Sequence, residues 1–303
     1  MPVKIVLIGA RSHRQGTGPF IAAGLAAAGA EITGIIGTSE NTVAEALQGL
    51  KQDWGIATNG FTELATALEE ATPDAVAICS PWRFHAGQLQ QAAAAGCHCL
   101  VEKPLAWPAS EQEVATLIES FTQEGLLLEM VGQWPTTLPA FTELHGPLPD
   151  EIDEFCMRLS PISIGRVMVT DSAPHFISML QALLGPGELK DCEIHTTGAD
   201  QLTVQAGYHH HRGTTHCRLL LETSLERPRP AWYSINGLRA DRRVVLPDYH
   251  QLLVAGNREV PLTDPMHLVT QNFIRRLGQQ APTDSQKLLG AHRNLLQLDQ
   301  SWA

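Results

Sequence analysis

The chain has 303 residues, 17% of them charged and 44% hydrophobic, and a net charge of −11. That length suits two domains, each able to bury its own core, and the composition excludes a disordered or low-complexity protein. The acidic balance and the absence of a dense Lys/Arg run exclude a nucleic-acid partner, and no apolar stretch approaches the roughly 20 residues of a membrane span.

The opening residues carry one positive side chain and an apolar run too short for a signal-peptide core, so a cytoplasmic, membrane-free protein is expected. Residues 3–8 are apolar and β-branched, the pattern of a buried strand. A glycine-containing loop follows from Gly9 to Gly18, and Pro19 is placed to open a helix that closes at Gly29. A second strand is expected over 31–36. Helices are expected over 42–50, 61–70, 85–95 and 110–124, and strands over 75–79, 97–101 and 126–131. This alternation predicts a parallel Rossmann sheet over residues 1–131. From 132 to 303 the pattern predicts an α+β domain with a mainly antiparallel open sheet, for substrate binding and oligomerisation. It holds a helix from Pro174 to Leu184, alternating segments between 193 and 254, and closing helices over 266–277 and 285–302.

A glycine loop between a first strand and a helix offers backbone N–H groups and a helix N-terminus to a pyrophosphate. Gly9, Arg11, Ser12, Arg14, Gly16 and Gly18 are the expected nucleotide ligands here, although the glycines are spaced more widely than G-x-G-x-x-G. The second strand ends in Gly37-Thr38-Ser39, with no carboxylate for a ribose 2′-hydroxyl. Thr38 and Ser39 supply hydroxyls and Arg11 or Arg14 a guanidinium, so NADP is expected over NAD, and Gly37→Asp is expected to shift the preference to NADH.

Ser80-Pro81, then His85, then a helix ending Ala94-Ala95-Gly96, then a strand ending Glu102-Lys103-Pro104 together resemble the glucose–fructose oxidoreductase and inositol dehydrogenase (Gfo/Idh/MocA) family. The match continues in Asp171-Ser172-Ala173-Pro174-His175 and in the last helix, so it covers essentially the whole chain. The resemblance implies an NAD(P)-dependent dehydrogenase or reductase. It implies that Lys103 contacts cofactor and substrate, that the Pro104 bond is cis, and that Ser80, Pro81, His85 and Glu102 border the cofactor. Gln133 and Trp134, after the sixth strand, are expected beside the substrate with Lys103, Asp171 and His175. Sheet faces packing between subunits would make a homodimer or a homotetramer.

Removing a hydride from an alcohol carbon requires loss of the hydroxyl proton, which suits a histidine base. His175 is expected to move that proton, Lys103 to stabilise the developing negative charge, and Asp171, four residues before His175, to share its helix face. Both motifs are expected to meet in an interdomain cleft. Cys97-His98-Cys99 reads as buried small residues on a strand and His209-His210-His211 as a solvated hairpin end, so no metal is expected. The substrate class is a small polar metabolite, a sugar or cyclitol among them, reacting at a hydroxyl, carbonyl or imine. Alternatives are a non-catalytic nucleotide-binding sensor or scaffold of the same fold, and a member that uses NAD transiently for net-neutral chemistry.

Overall fold

The computed structural model describes residues 1–11, 16–246 and 249–302. Its contacts divide the chain into two compact units, Met1–Val131 with Met266–Leu289, and Gly132–Pro265 with Gly290–Ala303.

The first unit alternates strands and helices: β1 (Lys4–Ile8), α1 (Gly18–Ala27), β2 (Glu31–Ile36), α2 (Glu40–Trp54), β3 (Asn59–Phe61), α3 (Leu64–Ala71), β4 (Ala75–Ile78), α4 (His85–Ala94), β5 (His98–Val101), α5 (Glu111–Gln123) and β6 (Leu128–Met130). The strands pair in the order β3-β2-β1-β4-β5-β6, all parallel. Side chains alternate between the faces, so Val6 and Ile8 meet Leu89, Val114 and Phe121 on one side, while Ile5 and Leu7 meet Ile21, Leu25 and Val43 on the other. A sheet buried on both faces explains why its strands read as continuous apolar runs. The strand order reverses at β1 and β4, and the loops after their carboxyl ends form the crevice where open α/β sheets bind ligands.

Two differences from the sequence reading arise here. The helix expected over 61–70 begins at Leu64, because 59–61 pairs with β2 as a short strand. Gly60 permits that pairing, since a Cβ there would lie 2.2 Å from Val43 Cγ1. The boundary at 131 also leaves out α8 (Pro265–Gly278) and the start of α9 (Ser285–Gln300). Val269 and Phe273 of α8 join the core with Ile5, Leu7 and Ile21, and Leu288 of α9 joins the core on the other face.

The second unit contains α6 (Leu138–His145), β7 (Glu154–Leu159), α7 (Val167–Leu184), β8 (Gly187–Gly198), β9 (Gln201–His210), β10 (Gly213–Glu222), β11 (Ala231–Ile235), β12 (Leu238–Val245), β13 (His250–Ala255) and β14 (Arg258–Leu262). Its eight strands run β14-β13-β12-β11-β7-β10-β9-β8, antiparallel except for the parallel pair β7–β10. One face is apolar and packs against α7, where Phe155 stacks on Phe176 at 5.6 Å. The opposite face carries ion pairs: Arg158–Glu222, Arg218–Glu154, Arg239–Asp241 and Arg243–Glu259. Among the described residues no helix is long and apolar enough to cross a membrane.

Phe273→Ala should destabilise the first unit by on the order of 3–5 kcal/mol, because it opens a cavity under the sheet. Chemical denaturation monitored by circular dichroism would measure it.

Candidate active site

The nucleotide loop begins where β1 ends. Gly9 has φ +89°, and a Cβ on it would lie 2.7 Å from the Cys79 carbonyl oxygen. A Cβ on Gly18 would lie 2.1 Å from the Gly9 carbonyl oxygen. The widely spaced Gly9 and Gly18 therefore face each other. Helix α1 starts with Pro19 in its first turn, and Thr17 supplies no side-chain cap. Its first N–H groups thus receive no side-chain acceptor from the N-cap residue, which suits an anion. Ser12 and Arg14 lie outside the described residues.

Arg11 pairs with Glu45 of α2 at 2.5 Å, which holds the guanidinium against the first half of that helix. Ser39 caps α2 in a reciprocal box with Thr42, its hydroxyl accepting from Thr42 N at 3.3 Å. Thr38 is exposed beside it. Gly37 has no room for a side chain, since a Cβ would lie 2.7 Å from Thr42 Oγ1 and 2.9 Å from Val43 Cγ2. Gly37→Asp would disrupt the start of α2, so Thr38 is the position at which to test nucleotide preference.

After β4, Ser80 and Pro81 lead through a short 3₁₀ turn at Trp82–Phe84 into His85. Ser80 Oγ donates to Gln88 Oε1 at 2.6 Å. His85 is fully buried, with Nδ1 2.9 Å from the Pro104 carbonyl oxygen and Nε2 2.8 Å from that of Ser80. Its ring is closed to solvent and occupied by these two carbonyls. It ties the loop after β4 to the loop after β5. Burial pulls its pKa below the ordinary value, against the carbonyl hydrogen bonds and the Glu102 charge, which favour the cation. Glu102 folds back on its own loop, where Oε2 accepts from Lys103 N at 3.2 Å. The Lys103–Pro104 bond is cis. From Val101 to Trp107 every residue is buried except Lys103.

In the second unit α7 begins at Val167, so Pro174 lies inside the helix rather than at its start. Proline has no N–H, and the Thr170 carbonyl loses its usual helical donor between Asp171 and His175. From Met168 to Leu180 every residue is buried except Asp171 and His175. These two stand one turn apart in the stretch of the helix that is otherwise closed to solvent. Gly132 lies against this helix, with a Cβ there 3.8 Å from Ser178 Cβ. Gln133 is partly exposed, but Trp134 is only 2% exposed and packs edge-on to Tyr233 at 6.2 Å. Trp134 thus acts as a support rather than as an open substrate surface.

Residues 3–132 match the model of Gfo/Idh/MocA, an oxidoreductase family with an NAD-binding Rossmann fold. This stretch is similar to that family's nucleotide-binding domain, and the match covers the first unit's sheet. No curated protein matches it. Solved structures share the fold over nearly the whole chain. Scyllo-inositol dehydrogenase from Lactobacillus casei, bound to NAD(H) and scyllo-inositol, is 14% identical with TM-score 0.74, covering 99% of this chain and 97% of that one. UDP-N-acetylglucosamine 3-dehydrogenase GnnA from Acidithiobacillus ferrooxidans is 18% identical with TM-score 0.71, covering 99% and 98%. A variant of KijD10, a 3-ketoreductase from Actinomadura kijaniata in complex with TDP-benzene and NADP, is 17% identical with TM-score 0.72, covering 99% and 98%.

In the first unit the structure brings together Gly9 with Gly18, and Ser80 and His85 with the Glu102-Lys103-Pro104 turn. Asp171 and His175 belong to the other unit. Among the described residues no group of three or more His, Cys, Asp or Glu is placed to hold a metal. The sequence reading missed Glu45 as the partner of Arg11 and the carbonyls of Ser80 and Pro104 as partners of His85. No local pattern marks contacts between residues so far apart in the chain.

A neutral His85 ring has one proton for two carbonyls. His85→Ala should cost roughly 1–3 kcal/mol near neutral pH, because buried carbonyls lose their donor. The sign with pH follows from the lowered native pKa. Below the ordinary value of 6.5 the unfolded ring takes up a proton before the native one, so this residue's contribution falls as pH drops. Unfolding curves on the acid side of that value should be less pH-dependent in the variant than in the wild type.

Proposed function

We propose that the protein transfers a hydride between a nicotinamide cofactor and a hydroxyl, carbonyl or imine carbon of a small polar metabolite, a sugar or cyclitol being the favoured class. The observation that carries this reading is the exposure pattern of the two motifs. Each is a stretch of buried residues, and the side chains that keep access to solvent are Lys103 in one and Asp171 and His175 in the other. Burial of the surroundings leaves those groups as the ones able to meet a substrate.

The first unit fits a dinucleotide. A Cβ would fill the space at Gly9 and at Gly18, and the uncapped start of α1 suits a pyrophosphate. When bound, a nicotinamide ring supplies or accepts the hydride. Gly9, Gly16 and Gly18 bind through backbone, with Ser80 and Pro81 bordering and Glu102 and His85 holding the loops behind. His175 takes the hydroxyl proton during oxidation, or returns it during reduction, at the imidazole nitrogen facing the substrate. Lys103, as an ammonium, donates a hydrogen bond to the same substrate oxygen and stabilises its negative charge. Asp171 orients or polarises the site as a partner to His175 or Lys103. Sugar and cyclitol substrates are supported by what the similar structures are named for, and by polar groups that suit hydroxyl recognition.

NADP is the proposed cofactor, because residues 37–39 hold no carboxylate to repel a 2′-phosphate and Arg11 is held along α2 nearby. Assembly through the charged face of the second unit's sheet is proposed as a homodimer or a dimer of dimers. That face is lined by ion-paired charges, so an association through it should weaken with salt.

NADPH should bind more tightly than NADH by fluorescence titration, and Thr38→Asp should reverse the order. Equal affinities in the wild type would refute the NADP assignment. A panel of polyols and ketoses followed by NADPH absorbance tests turnover. With the substrate so found, Lys103→Ala should raise the barrier by on the order of 2.7–4 kcal/mol, and His175→Ala should lower turnover by roughly 10²–10⁴-fold. Neither should weaken nucleotide binding by a comparable factor. A protein that binds NADPH but turns over no member of the panel would favour the sensor reading.

A further inference from the structure

The arginines of the second unit's sheet differ in their partners, and Arg258 at its edge donates to the carbonyls of Glu143 and Leu144. Arg158, Arg218, Arg239 and Arg243 each pair with a carboxylate on the charged face. Arg242 alternates to the opposite face, with Ala240, which is buried. Ala231 and Leu253 are its cross-strand neighbours, also buried. There its guanidinium carbon lies 5.1 Å from the centre of the Trp134 ring. Its Nε is closed to solvent and makes no hydrogen bond, and among the described residues no carboxylate forms an ion pair with Arg242. Gln251 Oε1, diagonally adjacent on the same face through the β12–β13 register, is likewise buried and without a donor.

A desolvated cation is costly unless something neutralises it. Burial, and then the charge of Arg229, push the Arg242 pKa down to about 10, so it is still a cation at neutral pH. Stacking on an indole offsets only a part, about 0.5–2 kcal/mol. The protein thus holds a charged fork and an amide oxygen on one face without their complements. Both lie near the support residue Trp134, whose turn starts against α7 one helical turn beyond His175.

We infer that Arg242, held on Trp134, is the anion-binding residue of the substrate subsite, and that the substrate is a polyhydroxylated molecule bearing a carboxylate or a phosphate. The guanidinium fork takes two oxygens of the anion. Gln251 accepts from a hydroxyl of the same molecule after a small side-chain adjustment. The anion fixes one end of the substrate and so presents a carbinol or carbonyl carbon to His175. This inference rests on reading Asp171 and His175 as substrate-facing.

The test is calorimetric titration of NADPH-loaded protein with three probes: D-gluconate, D-glucose 6-phosphate and D-glucose. At least one anion should bind roughly 10–100-fold more tightly than glucose, the expected worth of hydrogen bonds to a charged group. Which anion leads separates carboxylate from phosphate. Arg242→Met should abolish the preference. It should also be at least as stable as the wild type without ligand, because it removes an uncompensated charge. Equal binding of all three probes by the wild type overturns the inference, and so does a preference that survives in Arg242→Met. The wild-type comparison needs no variant, so a misfolded Arg242→Met would not rescue the idea. Turnover is a separate readout. An anion preference without turnover would fault the hydride-transfer reading, whereas turnover without a preference would fault Arg242 alone.

Discussion

A methyl group on Gly18 would stand 2.1 Å from the carbonyl oxygen of Gly9, and much of the nucleotide end depends on that intolerance. Backbone meets backbone there, so α1 can start directly over the end of β1. Its first N–H groups then lie beside the end of β1, where they suit an anion. Gly9 adds the second half of the constraint. Its left-handed backbone and its closeness to the Cys79 carbonyl turn the chain away from β4 without blocking the crevice. The two glycines that meet, Gly9 and Gly18, stand nine residues apart, so the contact forms without the usual G-x-G-x-x-G spacing.

Around that turn the protein separates framework from reactive groups by burial. His85 joins two loops through their carbonyls, and Glu102 caps the amide of the next residue. Neither has solvent access to spare, and Lys103 has it because they do not. The same division recurs in α7, where a helix closed on nearly every side leaves Asp171 and His175 open. Pro174 between them denies the helix one backbone bond, in a stretch whose other residues are packed.

The βα alternation was legible because a sheet buried on both faces writes itself as apolar runs, and because Gly and Pro punctuate its loops. Where packing rather than pattern decides, the reading stopped short. β3 is three residues long and depends on Gly60 fitting under Val43. The central strand β7 carries Glu154 and Arg158 amid its apolar residues, and their charges are explained only by partners on β10. Helix α7 continues across a proline that reads as a helix start. Lys103, Asp171 and His175 stood out as motif members, whereas Arg242 could not. Its meaning lies in what it lacks, and an unpaired charge is visible only once every other arginine on the sheet has been matched. Gly37 is the converse case: the missing acid was evident in the sequence, but the want of space for one was not.

The contribution of α8 and α9 to the first unit bears on how the protein is made. Val269, Phe273 and Leu288 complete cores whose other members lie before residue 131. A ribosome adding roughly 5–20 residues per second needs on the order of ten to thirty seconds to travel from one to the other. During that interval the nascent N-terminal sheet has its strands but lacks part of its covering, with apolar surface beneath the missing helix open to water or to a chaperone. Completion of the nucleotide-binding half therefore waits until residues 266–289 have been made, and a message cut short inside the second unit would release a sheet that lacks part of its covering.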